Sequence, residues 1–153
     1  MIKRVYGVSL DELGISLINI RSTGFENVAQ LFHEDRIHRK CSIITDLDDA
    51  ICDTTITEEN SEKEIKYKKR VEKSKKSGLE RKAKLDEFVK DNNWLGVFYA
   101  NYTFEVDFVL NGNVWEVDKI IKQVYKDEDT QKLAKEELES KNVAVFGKRV
   151  LTM

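Results

Sequence analysis

Residues 41–49 read CSIITDLDD, a short apolar run that passes directly into clustered acids. Short runs rich in Ile are typical of buried strands, and two similar runs occur at residues 15–21 (ISLINIR) and 95–100 (LGVFYA). Between the first two runs, apolar residues recur at the spacing of one helix face, namely Phe25, Val28, Leu31 and Phe32. A helix that links two strands is a crossover unit, so we expect parallel strands joined in the right-handed sense.

The remaining segments predict further helices. The charge-rich stretch 56–80 contains few large apolar residues, so we expect a solvated helix or an excursion there. After Gly78 an apolar stripe returns and predicts a helix that leads back to the strand at 95–100. The rest of the chain predicts helices over 104–110, 115–124 and 129–140 and a short strand over 142–146. This alternation predicts an α/β fold of three layers, with helices on both faces of a small, mostly parallel sheet.

The composition fits one modest domain, since the chain has 153 residues, of which 41% are hydrophobic and 35% are charged. We therefore expect a single domain over residues 1–153. The formal net charge of -2 excludes attraction of the whole molecule to nucleic acid or to an anionic membrane, so any such attraction must be local. No apolar run approaches the roughly 20 residues needed to cross a bilayer. We expect a cytoplasmic protein with no membrane partner.

The acids that end the run at 41–49 are the clearest indication of chemistry. Asp46 and Asp48 are two residues apart, so they project to the same side of an extended backbone. Like charges packed together are unfavourable unless a cation or a proton compensates, and carboxylates at a strand end suit Mg²⁺ or Mn²⁺. The alternative is a polar turn that closes a buried strand, because Asp is common in turns. The position favours a metal site, since ligands bind beyond the carboxyl ends of strands in open α/β sheets.

A further acid follows the run at 95–100. Glu105 is predicted to lie in the first turn of a helix that begins at the carboxyl end of a parallel strand. It would then share one edge of the sheet with Asp46 and Asp48 and complete a carboxylate cluster able to hold two cations. Taken alone, Glu105 is an ordinary acid near a helix N-terminus, where negative charge is favoured.

The charge-rich stretch contains a strongly basic portion. Residues 63–84 carry eleven basic and three acidic side chains, a local net charge of +8. Such a stripe could bind phosphates with an affinity that falls steeply as salt rises. The alternative is a solvated, mobile helix, since charge runs are usually found on surfaces. The candidate DNA-binding residues are Lys68, Lys69, Arg70, Lys73, Lys75 and Lys76.

Four segments occur in an order that resembles the Toprim domain of the OLD-family ATP-dependent endonucleases. They are residues 14–32 (GISLINIRSTGFENVAQLF), 41–49 (CSIITDLDD), 97–113 (VFYANYTFEVDFVLNGN) and 146–150 (FGKRV). The combined order spans about nine tenths of the chain and is more specific than any single segment. The resemblance implies a DNA endonuclease that uses Mg²⁺ or Mn²⁺. It also implies that Asp46 and Asp48 are metal ligands and that Glu105 is a ligand at a second site. Lys148 then corresponds to the basic residue that contacts the scissile phosphate or the leaving oxygen.

The sequence departs from this family at its start. The family's domain opens with a strand that carries a catalytic Glu in a segment like Glu-Gly-x-Thr-Glu, and no residues before Ile15 resemble it. The resemblance therefore implies weak metal binding and low or absent nuclease activity for this chain alone. It also implies a partner, an ATPase domain or subunit, and leaves a homo-oligomer open.

Two other functions remain open from the residues. Asp46-Leu47-Asp48-Asp49 resembles the nucleophile motif of haloacid dehalogenase-type phosphohydrolases, in which Asp46 would attack phosphorus and Asp48 would act as acid and base. That family places Thr or Val where Ala50 stands, and its motif strand comes first in the chain. The other alternative is a non-catalytic DNA-binding or assembly module, whose exposed sheet edge a partner would complete.

Overall fold

A computed structural model describes residues 7–20, 24–140 and 142–153. Its sheet consists of two parallel strands, β1 (Cys41–Asp46) and β2 (Leu95–Ala100), paired in register from their first to their last residues. The α-helices of the described part are α1 (Phe25–Ala29), α2 (Glu62–Val89), α3 (Phe104–Phe108), α4 (Val114–Val124), α5 (Glu128–Glu139) and α6 (Val143–Val150). A 3₁₀ turn, Gln30–Phe32, follows α1, and a π-helical segment, Val109–Asn113, joins α3 to α4.

The predicted α/β class, with a small parallel sheet and flanking helices, is confirmed. Helix α2 lies between β1 and β2 in the chain, which is the crossover that two parallel strands require. The helices predicted over 104–110, 115–124 and 129–140 are present as α3, α4 and α5, with bounds that differ by a few residues. None of the helices in the described part is long and apolar enough to cross a membrane.

The prediction of a strand over residues 15–21 is wrong for residues 15–20, and Arg21 lies outside the described residues. Residues 15–20 pair with neither β1 nor β2, and Leu17 is 82% exposed. Residues of this segment and of β1 both line a cleft of about 730 Å³. A run rich in Ile has the propensity for a strand, but a strand forms only where a neighbouring strand pairs with its backbone. Whether such a neighbour is present depends on the tertiary structure.

Of the two alternatives for the charge-rich stretch 56–80, the helix is present from Glu62 onwards. It is one continuous helix of 28 residues, Glu62–Val89, which also includes the segment after Gly78 where a second helix was predicted. Ser61 starts it with a capping box, because its side chain accepts from the backbone of Glu64 and the Glu64 carboxylate accepts from the backbone of Ser61. Gly78, after which the sequence predicts a further helix, lies inside α2. An added Cβ there would stand 1.8 Å from the carbonyl oxygen of Leu47. Gly78 is therefore where the helix contacts the backbone just after β1.

Two apolar clusters hold the elements together. The first joins α1, α2 and one face of the sheet through Ala29, Ile43, Leu85 and Leu95. The second joins the helices that follow β2, and its buried members are Val106, Val109, Ile121, Ala134, Leu138 and Phe146. On the other face of the sheet, Ile44 and Phe98 lie opposite each other and are 70% and 61% exposed.

The prediction of a strand over 142–146 is wrong, because α6 occupies this segment. The Asn142 side chain accepts a hydrogen bond from the backbone of Ala144 and caps the helix. Val143, Phe146 and Val150 all pack into the second cluster, which is helical spacing. Five residues are too few to separate this spacing from the alternation of a strand.

Candidate metal and nuclease site

The loops that follow β1 and β2 are joined by backbone hydrogen bonds. Leu47 donates to the carbonyl of Ala100 at 2.8 Å, and Asp49 donates to that of Asn101 at 3.0 Å. Asp48, between them, donates to the carbonyl of Tyr102 at 3.3 Å. Parallel pairing thus continues past the strand ends and holds the acids after β1 beside the segment that leads into α3.

Asp48 has a backbone conformation that few residues adopt. Its φ of 55° lies in the left-handed region, where Asp and Asn are enriched among residues other than Gly. The next residue, Asp49, donates its backbone N–H to the carbonyl of Asn101. The chain therefore turns at Asp48 but remains hydrogen-bonded to the segment that follows β2. Asp48 therefore suits the backbone conformation of this turn and also supplies a negative charge.

Glu105 is held at the same edge by the start of α3. The next residue, Val106, is fully buried in the second cluster, while the carboxylate of Asp107 accepts from the backbone of Tyr102 at 2.7 Å. These contacts anchor both sides of the turn that presents Glu105, which is itself exposed.

The charges of Asp48 and Glu105 act on Asp46. Burial, followed by the nearby charges of Asp48 and Glu105, raises the pKa of Asp46 above its usual value, although a hydrogen bond from the backbone of Phe104 opposes this. The repulsion that raises this pKa is one that a bound cation would relieve. We call Asp46, Asp48 and Glu105 the acidic rim. Sequence analysis predicted this set.

Two basic residues of α2 reach the same edge, and the sequence analysis did not assign them to it. Arg81 Nη2 lies 3.1 Å from Asp48 Oδ2 and 2.5 Å from the carbonyl oxygen of Asp46. Lys75 Nζ lies 2.9 Å from Asp49 Oδ1, and this hydrogen bond raises the pKa of Lys75 and lowers that of Asp49. Both residues are three positions from Gly78, on the helix face that its missing side chain brings close to Leu47. A lone Gly within a basic helix was the signal available in the sequence.

The side chains of the acidic rim are of the type that binds a divalent cation, but their present positions are not those of a metal site. Three carboxylates that repel one another are suitable ligands for Mg²⁺ or Mn²⁺. Within the part of the chain that the structure describes, however, no three His, Cys, Asp or Glu side chains are grouped closely enough to hold a metal ion. Asp48 is instead occupied by Arg81. A cation at the rim would therefore require Asp48 to change partners.

The other predicted site residues lie apart from the rim. Lys148 is exposed in the last turn of α6, and in the described residues its side chain forms no hydrogen bond or ion pair with the three acids. Its neighbour Gly147 lies against Ile51, three residues after Asp48. This contact connects α6 with the loop after β1. The role of Lys148 stays a prediction.

The six predicted DNA-binding residues divide into two groups. Lys68 donates to the carbonyl of Thr55 at 2.6 Å and to Asn60 at 3.0 Å, while Lys75 is paired with Asp49. Both are thus turned towards the protein. The exposed members are Lys69, Arg70, Lys73 and Lys76.

Comparison with known families supports part of the resemblance. Residues 1–48 match the family "Overcoming lysogenization defect protein-like, TOPRIM domain". The match begins at residue 1, so it includes the residues before Ile15 where we found no counterpart of the Glu-bearing segment, and it ends at Asp48. No curated protein and no solved structure matches the chain.

This match confirms the resemblance to an OLD-like TOPRIM domain over less than half of the chain, including β1 and the first two acids of the rim. It indicates a nuclease-type domain that depends on a divalent metal. The resemblance beyond residue 48, which includes Glu105 and Lys148, stays a prediction.

Proposed function

We propose that this chain is a Toprim-like, metal-dependent endonuclease domain that acts on DNA. The observation that supports the proposal most is that three acids from two distant segments lie at the carboxyl edge of a parallel sheet, where burial and then the charges of Asp48 and Glu105 raise the pKa of Asp46. The TOPRIM match over residues 1–48 supports the class of chemistry. The proposal extends to an ATPase domain or subunit as partner, for which the family resemblance is the support.

In the proposed function, Asp46 and Asp48 hold a first Mg²⁺ or Mn²⁺ and Glu105 contributes to a second. Such cations supply the orientation of a water for attack on phosphorus and the stabilisation of the departing oxygen. The chain's own part is positional, because the hydrogen bonds between the two loops hold two acids beside a third. Lys148, by resemblance, would neutralise charge at the phosphate.

Replacement of Asp48 by Asn tests the metal site. We expect Asp48→Asn to weaken Mn²⁺ binding about tenfold or more, because it removes one ligand charge while keeping the shape. Asn also tolerates the left-handed backbone at this position, so the fold should be retained. Mn²⁺ titration followed by electron paramagnetic resonance measures the affinity, and nicking of supercoiled plasmid with Mg²⁺ or Mn²⁺ measures the activity of the same proteins.

The matched control is Asp49→Asn, the same change one residue along the chain. Asp49 is paired with Lys75 and is outside the rim, so we expect its Mn²⁺ affinity to stay within about twofold of the wild type. Equal affinity in the wild type and in Asp48→Asn would contradict the site. Nicking that survives Asp48→Asn would assign the activity to another centre or to contamination.

The support for a DNA surface comes from the exposed side of α2. Lys66, Lys69, Lys73 and Lys76 follow one another at three- and four-residue spacing, so they share one helix face about 15 Å long. All four are exposed, and none forms an ion pair with a described residue. We call these four residues the basic stripe. Its contribution to DNA affinity would be electrostatic and independent of sequence.

Neutralisation of three lysines tests the basic stripe. We expect the combined change Lys69→Gln, Lys73→Gln and Lys76→Gln to weaken duplex DNA binding and to reduce the slope of log K against log salt by roughly three. Fluorescence anisotropy of a labelled duplex at several salt concentrations measures both. The matched control replaces three exposed lysines elsewhere, Lys122, Lys126 and Lys132, and changes the net charge equally. Equal slopes in the two triple variants would contradict a specific surface.

A non-catalytic DNA-binding or assembly module is the second candidate. The observation in its favour is that the described residues contain no preassembled group of three metal ligands. DNA binding that depends on the basic stripe, with no Mn²⁺ binding by the wild type, is the result that would favour this function over the nuclease.

A further inference from the structure

We propose that Arg81 is the resident counter-cation of the acidic rim and that divalent cations must displace it from Asp48 to bind. The inference rests on the proposed function, since it concerns the regulation of the same site. The inference assigns a role to a residue in the C-terminal half of a long charged helix.

The contacts of Arg81 distinguish it from the other bases of α2. Its Nη2 donates both to the Asp48 carboxylate, at 3.1 Å, and to the carbonyl oxygen of Asp46, at 2.5 Å. The Arg81 side chain is only 15% exposed, against 40% for Lys75. Arg81 thus ties together the end of β1 and the acid that follows it.

The position of Arg81 carries a cost. Its Nε is buried and has no hydrogen-bond partner among the described residues. A buried donor without an acceptor is unfavourable, so the attraction of the rim for the guanidinium must offset that loss. Under the proposal, a divalent cation that supplies the positive charge at Asp48 displaces a side chain held in this way.

Arg81 and a metal ion would compete for the carboxylate of Asp48. The oxygen of Asp48 that Nη2 contacts is not free to ligate a metal in the same geometry. A divalent cation beside the guanidinium would also meet like-charge repulsion. In the described residues no three His, Cys, Asp or Glu side chains are grouped closely enough to hold a metal ion, and Arg81 is paired with one of the three rim carboxylates.

The geometry of α2 makes the contact possible. Gly78, one turn before Arg81, lets the helix backbone lie against Leu47, the residue between Asp46 and Asp48. From this contact, the Arg81 side chain reaches the neighbouring Asp48. Arg81 acts through Asp48 and is therefore a positioning residue rather than a catalytic one.

The test is Mn²⁺ binding by the wild type, Arg81→Gln, Arg81→Lys and Lys75→Gln. We expect Arg81→Gln to bind Mn²⁺ about tenfold more tightly, because one contacting like charge is removed from a partly buried site. Lys75→Gln, which loses the same charge from the same helix, should change the affinity by no more than about twofold, because its partner is outside the rim. Arg81→Lys keeps the charge and should remain close to the wild type.

Unchanged or weaker binding by Arg81→Gln would overturn the inference, as would equal tightening in Lys75→Gln. A second measurement uses the wild type and so does not depend on the variant's folding. The ¹⁵N resonance of the Arg81 side chain, assigned from its loss in Arg81→Lys, should shift when Mg²⁺ is added. A resonance that stays in place at saturating Mg²⁺ would also overturn the inference.

The outcomes separate this inference from the proposed function. Wild-type binding that is lost in Asp48→Asn but unchanged in Arg81→Gln overturns the role of Arg81 and leaves the metal site in place. Binding by Arg81→Gln alone supports competition by Arg81. The absence of Mn²⁺ binding in every variant overturns both.

Discussion

Gly78→Ala should destabilise the protein by about 2 kcal/mol, although Ala is the better helix former. In an exposed helix interior the same change stabilises by about 1 kcal/mol. Here the new Cβ would stand 1.8 Å from the Leu47 carbonyl oxygen and 2.6 Å from its carbon, and neither is the end of a flexible side chain. Helix and strand end must therefore separate, and forced overpacking costs about 1 to 3 kcal/mol or more. Urea unfolding followed by circular dichroism at 222 nm measures the difference.

The matched control for Gly78→Ala is Ser77→Ala, at the neighbouring position on the exposed side of α2. We expect this control to change the free energy of unfolding by no more than about 0.5 kcal/mol. The displaced helix should also withdraw Arg81 and Lys75 from their carboxylate partners. A Gly78→Ala protein as stable as the wild type would show that α2 does not rest on Leu47.

Phe146→Ala should cost about 3 to 5 kcal/mol, the range for loss of a buried aromatic side chain. Phe146 is 2% exposed and among the largest fully buried side chains of the described residues. It lies in the second apolar cluster together with Val106, the residue after Glu105. The change should therefore loosen the helices that hold Glu105 at the rim. Chemical unfolding measures the loss of stability.

Val145→Ala is the control for Phe146→Ala, since it shortens a neighbouring side chain of α6 that is 37% exposed. We expect it to change stability by less than about 1 kcal/mol. If the two variants unfold at the same denaturant concentration, Phe146 does not hold the C-terminal helices together.

Much of the architecture was predictable because it depends on local patterns. The strands at β1 and β2 follow from short apolar runs, and helices α4 and α5 follow from apolar spacing and an acidic first turn. The rim was predictable for a related reason. Once two neighbouring strands are parallel, the residues after each must meet at one edge of the sheet, and the charge of Glu105 accordingly acts on Asp46 although the two are far apart in the chain.

The helix α6 shows where local patterns stop being sufficient. Val143, Val145 and the residues around them alternate as in a strand over five positions. Phe146 decides the matter, because its burial among residues of α3 and α5 stabilises a helix. Packing that combines distant segments outweighs a propensity difference on the order of 1 kcal/mol.

The sequence by itself predicted the α/β class, the parallel pair and the acidic edge, because residue period is a property of short segments and a helix that connects two paired strands makes them parallel. Only the tertiary structure decided that residues 15–20 do not pair with β1 and that α2 rests on Leu47 through Gly78. It also decided that Arg81, 33 positions from Asp48 in the chain, is the base that reaches the rim. Contacts of this kind depend on how whole elements pack. The sequence does not show which of the eleven basic residues in this stretch contacts an acid, because that depends on how the helix packs against the sheet.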